Sequence, residues 1–110
     1  MKVTFTDNVI SKNDEKMVLI NLIGVFEALK RGCLSIDEAE KILFSPRIVA
    51  KLRMKGCDEK ILDILERGCE LEDIVSLIPY KILKTINELE NMALELANDY
   101  PNFNKTLWLE

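Results

Sequence analysis

The chain contains no histidine. This excludes Ser–His and Cys–His catalytic pairs and every His-ligated metal site. Only four glycines and three prolines occur in 110 residues, too few for a collagen-like repeat or a low-complexity linker. There is no Cys-x-x-Cys pair, no G-x-S-x-G elbow, no phosphate-binding loop and no EF-hand loop, so the common signatures of zinc, nucleophilic, nucleotide and calcium chemistry are missing. No apolar run approaches the ~18 residues that a membrane span needs. The polar, alternating start from Met1 to Thr6 has no signal-peptide hydrophobic region. These absences predict a cytoplasmic chain with no membrane partner. Three cysteines is an odd count, as reduced thiols would have it.

What is present is apolar and charged in a balance that buries a core: 48% hydrophobic and 31% charged residues. At 110 residues this predicts one domain spanning 1–110. The net charge of -4 is unevenly spread. Residues 41–60 hold six basic groups (Lys41, Arg47, Lys51, Arg53, Lys55, Lys60) against two acids. Residues 61–99 hold three basic groups against nine acids. The middle is positive and the C-terminal half negative, a pattern that solvated helix faces also produce.

Periodicity and caps predict helices almost throughout. A helix from about Asn13 to Arg31 is apolar nearly all round, with Ser11, Asn13 or Asp14 as its cap and Gly32 as its stop. Gly24 sits in its middle and suggests a close helix crossing. Ser35-x-x-Glu38 is a capping box for a helix over 36–44. Ser45-Pro46 starts the next, which stops at Gly56. Asp58 caps a fourth that stops at Gly68, and Glu72 and Asp73 open a short fifth to Leu77. The last helix, from about Pro79 to Ala97, has a stripe of Ile82, Ile86, Leu89, Ala93 and Leu96, widened by Leu83, Leu94 and Ala97; Lys84, Glu88, Asn91 and Glu95 line its wet side. Residues 2–6 alternate like a strand and could pair with Thr106–Leu109 as a two-stranded terminal ribbon. The expected architecture is all-α: a compact orthogonal bundle of five or six helices.

Arg31-Gly32-Cys33, Lys55-Gly56-Cys57 and Arg67-Gly68-Cys69 repeat a basic–Gly–Cys triplet. Its spacing lacks the local pairs of a zinc site. Helix ends account for it better: a cation in the last turn, glycine in the left-handed C′ position, and a small hydrophobe packed back on the helix. Glu59, Asp63 and Glu66 share one helix face, with Asp63 placed to pair with Arg67 four residues on. Tyr80 and Trp108 lie outside the basic segment, as core or docking residues rather than base-stacking ones.

The string LSIDEAEKILFSPRIVAKLRMKG, residues 34–56, is similar to the helix-turn-helix of excisionase-type DNA-binding proteins through Leu34, Ser35, Glu38, Ala39, Leu43, Ser45, Lys51, Arg53, Lys55 and Gly56. It departs from that pattern in its short Phe44-Ser45 turn, which lacks glycine, and in Pro46. The resemblance implies a basic second helix in the major groove, with Arg47, Lys51, Arg53 and Lys55 on phosphates or guanines. Through GVFEALKRGCLSIDEAEKILFSP and LEDIVSLIP, the whole chain also resembles a family of small uncharacterised helical bacterial proteins. That likeness implies a helical domain and no particular chemistry. The function expected is therefore non-enzymatic, with no cofactor and no metal: a protein–protein interaction module of inhibitor, immunity or adaptor type. Glu59, Asp63, Glu66, Glu70, Glu72 and Asp73 would form the face for a basic partner. DNA binding through residues 34–56 is the alternative.

Overall fold

The computed structural model describes residues 9–104. They form α1 (Lys12–Lys30), α2 (Ile36–Ile42), α3 (Pro46–Met54), α4 (Glu59–Cys69), α5 (Leu71–Leu77), a 3-10 turn at Pro79–Lys81 and α6 (Ile82–Asn98). The all-α class holds, with no strand among the described residues. Four helices of nine residues or more carry the frame, fewer than the five or six expected, and the seven-residue α2 and α5 bridge them. Residues 2–6 and 106–109, where the ribbon was expected, lie outside the described residues.

The starts of α1 to α4 each follow from a local side-chain cap, whereas α5 and α6 begin without one. Ser11 and Asp14 form a full capping box on α1, the Asp14 N–H donating to Ser11 Oγ at 3.0 Å. Ser35 and Glu38 do the same for α2. Ser45 Oγ accepts from the Ile48 N–H with Pro46 in the first turn of α3. Asp58 Oδ1 accepts the Lys60 N–H at 2.7 Å to open α4. Two of the three Gly–Cys triplets are complete Schellman ends. Gly32 and Gly56 have φ of 77° and 79°. The Cys33 N–H donates back to the Ala28 carbonyl at 3.0 Å and the Cys57 N–H to the Leu52 carbonyl at 3.1 Å.

The third triplet differs. Gly68 and Cys69 continue α4, and Glu70 is the joint to α5. Gly68 is there for space: a Cβ on it would stand 2.5 Å from ring atoms of Phe44. Phe44 is fully buried and stacks on Phe26, ring centroids 5.3 Å apart. The close approach expected at Gly24 is thus found at Gly68, while a Cβ on Gly24 would meet nothing within 4 Å. Nor are the three cysteines alike: Cys57 is buried, Cys69 half-buried and Cys33 exposed.

Core residues from all six helices merge into one cluster, including Leu19, Leu22, Phe26, Ala39, Phe44, Leu52, Ile61, Leu65, Leu71, Ile86 and Leu89. α1 lies along α6, α4 packs on both α3 and α6, and α2 fits between α1 and α5. The body is prolate, 41 × 24 × 24 Å. The α6 stripe is narrower than expected. Ile86, Leu89 and Ala93 are buried, but Leu83 and Leu94 face solvent, as does Tyr80 in the 3-10 turn. Beyond α6, residues 100–104 run beside the first turns of α1. There Lys12 sits over the Tyr100 ring and Lys16 over Phe103, 5.1 and 5.0 Å from the centroids, and Lys16 Nζ donates to the Pro101 carbonyl at 3.1 Å.

Two acids inside the fold were not expected. Glu15 is 5% exposed and accepts the Asp58 N–H at 2.7 Å, fastening the first turn of α1 to the cap of α4. Glu90 is 7% exposed and pairs with Lys30 across the α1–α6 seam at 2.7 Å.

Candidate functional site

The α4 sequence EKILDILERGC places Ile61, Leu62, Ile64 and Leu65 inward. Glu59 and Asp63 then project outward on the opposite side, four residues and so one turn apart. In α6 the same logic turns Ile86, Leu89 and Ala93 inward and leaves Glu95 outward, with Asp99, the C-cap of α6, exposed one turn on. Where α4 and α6 pack, these sides border an open groove of about 410 Å³. Its lining residues are Glu59, Lys60, Asp63 and Ile64 from α4, and Met92, Glu95, Leu96 and Asp99 from the end of α6. Ile64 is buried and Met92 and Leu96 half-buried, so they make an apolar floor under four carboxylates and one ammonium.

The ion pairs distinguish the two walls. On α4, Asp63 holds Arg67 at 3.2 Å and Glu59 stands 4.0 Å from Arg53. On α6, Glu95 and Asp99 have no ion-pair partner among the described residues. A predominantly negative field over an apolar floor attracts a cationic ligand that also has apolar surface to bury.

The six acids expected to form one face separate into three groups. Glu59 and Asp63 lie in the groove. Glu66, one turn further along α4, is bound to Arg53 of α3. Glu70, Glu72 and Asp73 are outside the groove, exposed at the α4–α5 joint and on α5. There Glu72 faces Glu40 of α2. Burial, and after it the Glu72 charge, raise the Glu40 pKa above the ordinary carboxylate value. Glu95, read from sequence only as part of the wet side of the last helix, and Asp99 were not assigned to that face, because only the packing of α4 on α6 brings them opposite Glu59 and Asp63.

The basic segment is divided as well. Arg47 and Lys51 are exposed on α3. Arg53 is held by Glu66, whose hydrogen bond raises the guanidinium pKa further. Lys55 is half-buried, and its carbonyl accepts the Ile10 N–H at 2.8 Å. The principal contacts of α2 are with α1 and α5 and those of α3 with α4, so the two helices of residues 34–56 are each seated on other elements.

The thiols are scattered and subdued. Burial, then the charges of Glu15 and Asp58, push the Cys57 thiol up to about 12; burial also raises that of Cys69. Among the described residues no group of three or more Cys, Asp or Glu could hold a metal ion, and no helix is long and apolar enough to cross a membrane.

Fold and groove together define a small all-helical domain with an acidic, apolar-floored surface cleft. The chain belongs to the family described as "Protein of unknown function (DUF3969)", whose model matches residues 11–110. The resemblance to an uncharacterised small family is therefore shown, while the match adds no support to the excisionase-type likeness. Comparison with curated proteins and with solved structures found no match.

Proposed function

We propose that this protein is a non-enzymatic, cytoplasmic protein–protein interaction module that engages a basic partner through its acidic C-terminal half. The observation that carries this reading is the groove between α4 and α6, where Glu59, Asp63, Glu95 and Asp99 surround the apolar floor of Ile64, Met92 and Leu96. Complementary charge steers encounter and selects partners, and a desolvated floor supplies affinity. The test is an affinity capture from the native host with the wild-type chain and with a Glu59→Lys/Asp63→Lys variant as bait. A reproducible partner depleted by the charge reversal supports the reading. A partner list unchanged by the reversal refutes it.

A second reading, DNA binding, is favoured by the solvent exposure of Arg47 and Lys51 on α3. It predicts salt-sensitive retention on duplex DNA that a Lys51/Arg53/Lys55 alanine triple variant loses. The commitment of Arg53 to Glu66 weighs against it, since that pair must be opened before the guanidinium reaches a phosphate.

A further inference from the structure

Resting on the interaction reading above, we infer that the α4–α6 groove receives a cationic amphipathic helix, its Lys and Arg side chains spaced one turn apart. Three features point to this occupant. Both walls of the groove are helices, whose backbone groups away from the ends are paired internally, and neither wall offers a strand edge. An extended peptide would gain no main-chain hydrogen bonds there, whereas a helix brings its own backbone satisfied and offers only side chains. The carboxylates come as two pairs, Glu59 with Asp63 and Glu95 with Asp99. Each pair is four residues apart, about 6 Å along its axis, the spacing of Lys or Arg at i and i+4 on a guest helix. The floor of Ile64, Met92 and Leu96 is apolar and includes a flexible thioether, which accommodates the aliphatic stripe of such a helix.

Other occupants use only part of this arrangement. A small polyamine or a free cation would engage the carboxylates and leave the floor wet. An anionic helix would meet four charges of its own sign. Lys60 is the single cation of the lining, and it opposes the inferred guest, so its replacement by an acid should strengthen binding.

The experiment is a fluorescence and NMR titration of the full chain with three synthetic peptides of about 14 residues, roughly 21 Å as helices. The first places Lys at i, i+4 beside a Leu stripe. The second has the same composition scrambled so that Lys and Leu do not segregate. The third keeps the Leu stripe and replaces Lys by Glu. At roughly 50 mM salt, where screening is weak, the first is expected to bind at least about tenfold more tightly than either other peptide. Its binding should shift the backbone resonances of α4 and α6, weaken by about tenfold in a Glu95→Lys/Asp99→Lys variant of unchanged melting temperature, and tighten in Lys60→Glu. Equal binding of the first and scrambled peptides would overturn the helix inference and leave the broader acidic-face reading in place. So would binding untouched by the Glu95/Asp99 reversal. If no peptide binds, the inference is overturned. The interaction reading itself then falls only if the Glu59/Asp63 reversal also leaves the captured partner unchanged.

Discussion

Helix α6 carries acids on two sides, and the two sides treat them in opposite ways. Toward α1, Glu90 is buried against Lys30 Nζ at 2.7 Å, and Lys30 also holds Glu27 at 3.1 Å and Asn87 Oδ1 at 2.9 Å. Glu27 in turn holds Arg31 at 3.0 Å. Toward α4, Glu95 and Asp99 stand over an open groove with no cation of their own among the described residues. The seam has traded hydration for fixed partners, so its charges position the helices. The groove keeps its charges hydrated and unspent, so they remain available to a ligand. Charge alone does not distinguish the two regions; the presence of a countercharge from the same fold does.

The largest effect comes from disturbing the seating of α4, one wall of the groove. α4 is seated by the contact of Gly68 with Phe44, so the groove wall moves if that contact opens. Gly68→Ala drives a Cβ to 2.5 Å from a fully buried ring that cannot swing away. Overpacking of this kind costs about 1–3 kcal/mol, only partly offset by the gain of roughly 1 kcal/mol in helix propensity. Gly24→Ala, in the middle of α1 with open space around it, should stabilise by about 0.5–1 kcal/mol through propensity alone. Urea midpoints of the two variants check the contrast. Equal shifts of the same sign would remove the assignment of Gly68 to close packing.

The next effect sets seam against groove directly. Lys30→Met leaves the buried Glu90 carboxylate without its cation, which is unfavourable, though less so than in a fully buried pair because the Lys30 end is partly in water. Glu95→Gln removes an exposed, unpaired charge and should move stability by no more than about 0.5 kcal/mol. Thermal melts of the pair should therefore show a clear loss for Lys30→Met and almost none for Glu95→Gln. If the two melt alike, the seam pair is as dispensable as a surface pair and the comparison fails.

Much of this architecture was legible because it is written locally. Ser11, Ser35, Ser45-Pro46 and Asp58 mark helix starts by chemistry that reaches only a few residues, and the structure places each cap there. Gly32 and Gly56 mark ends for the same reason. Gly68 repeats their triplet but answers to Phe44, a partner from another element, so no local rule separates it from them. Glu90 offered one signal. It lies four residues after Ile86 and three before Ala93, inside the buried stripe, and an acid at such a position requires a cation from elsewhere. Glu15 gave no comparable hint, since an acid in the first turn of a helix is ordinary. Half the groove was visible as the outward acids Glu59 and Asp63. The other half depends on how α6 crosses α4, which no periodicity within either helix encodes.

Acid titration sharpens the same contrast with a smaller effect. The hydrogen bond from Arg31, with further support from Glu90 and Lys30, holds the Glu27 carboxyl down at about 2, well below its ordinary value of 4.5. A folded-state pKa below the unfolded one contributes stability that is complete above pH 4.5 and lost as pH falls toward 2. Glu27 is partly exposed, so solvent screens much of that contribution. Stability measured across this window should fall less steeply in Glu27→Gln than in the wild type. Equal slopes for the two proteins would place the acid sensitivity outside the seam.

The smallest expected effect tests an acid that belongs to neither region. Glu40 is half-buried on α2 with Glu72 opposite it, so it has lost water without gaining a cation among the described residues. Burial first, then the charges of Glu72, Asp37 and Asp73, raise its pKa above the ordinary value. The linkage here has the opposite sign to that of Glu27. With the folded pKa above the unfolded one, the ionised carboxylate opposes folding at neutral pH, and the penalty is relieved as pH drops through the folded pKa. Glu40→Gln, which keeps the shape and removes the charge, should therefore raise the urea midpoint slightly at pH 7, by less than Lys30→Met lowers it. The difference from wild type should shrink as the solution is acidified and Glu40 itself takes up a proton. A Glu40→Gln variant less stable than wild type at pH 7 would mean that the carboxylate has a partner that makes its charge favourable. The α2–α5 contact would then belong with the paired seam, and an unpaired acid could no longer be used to mark a surface left open for binding.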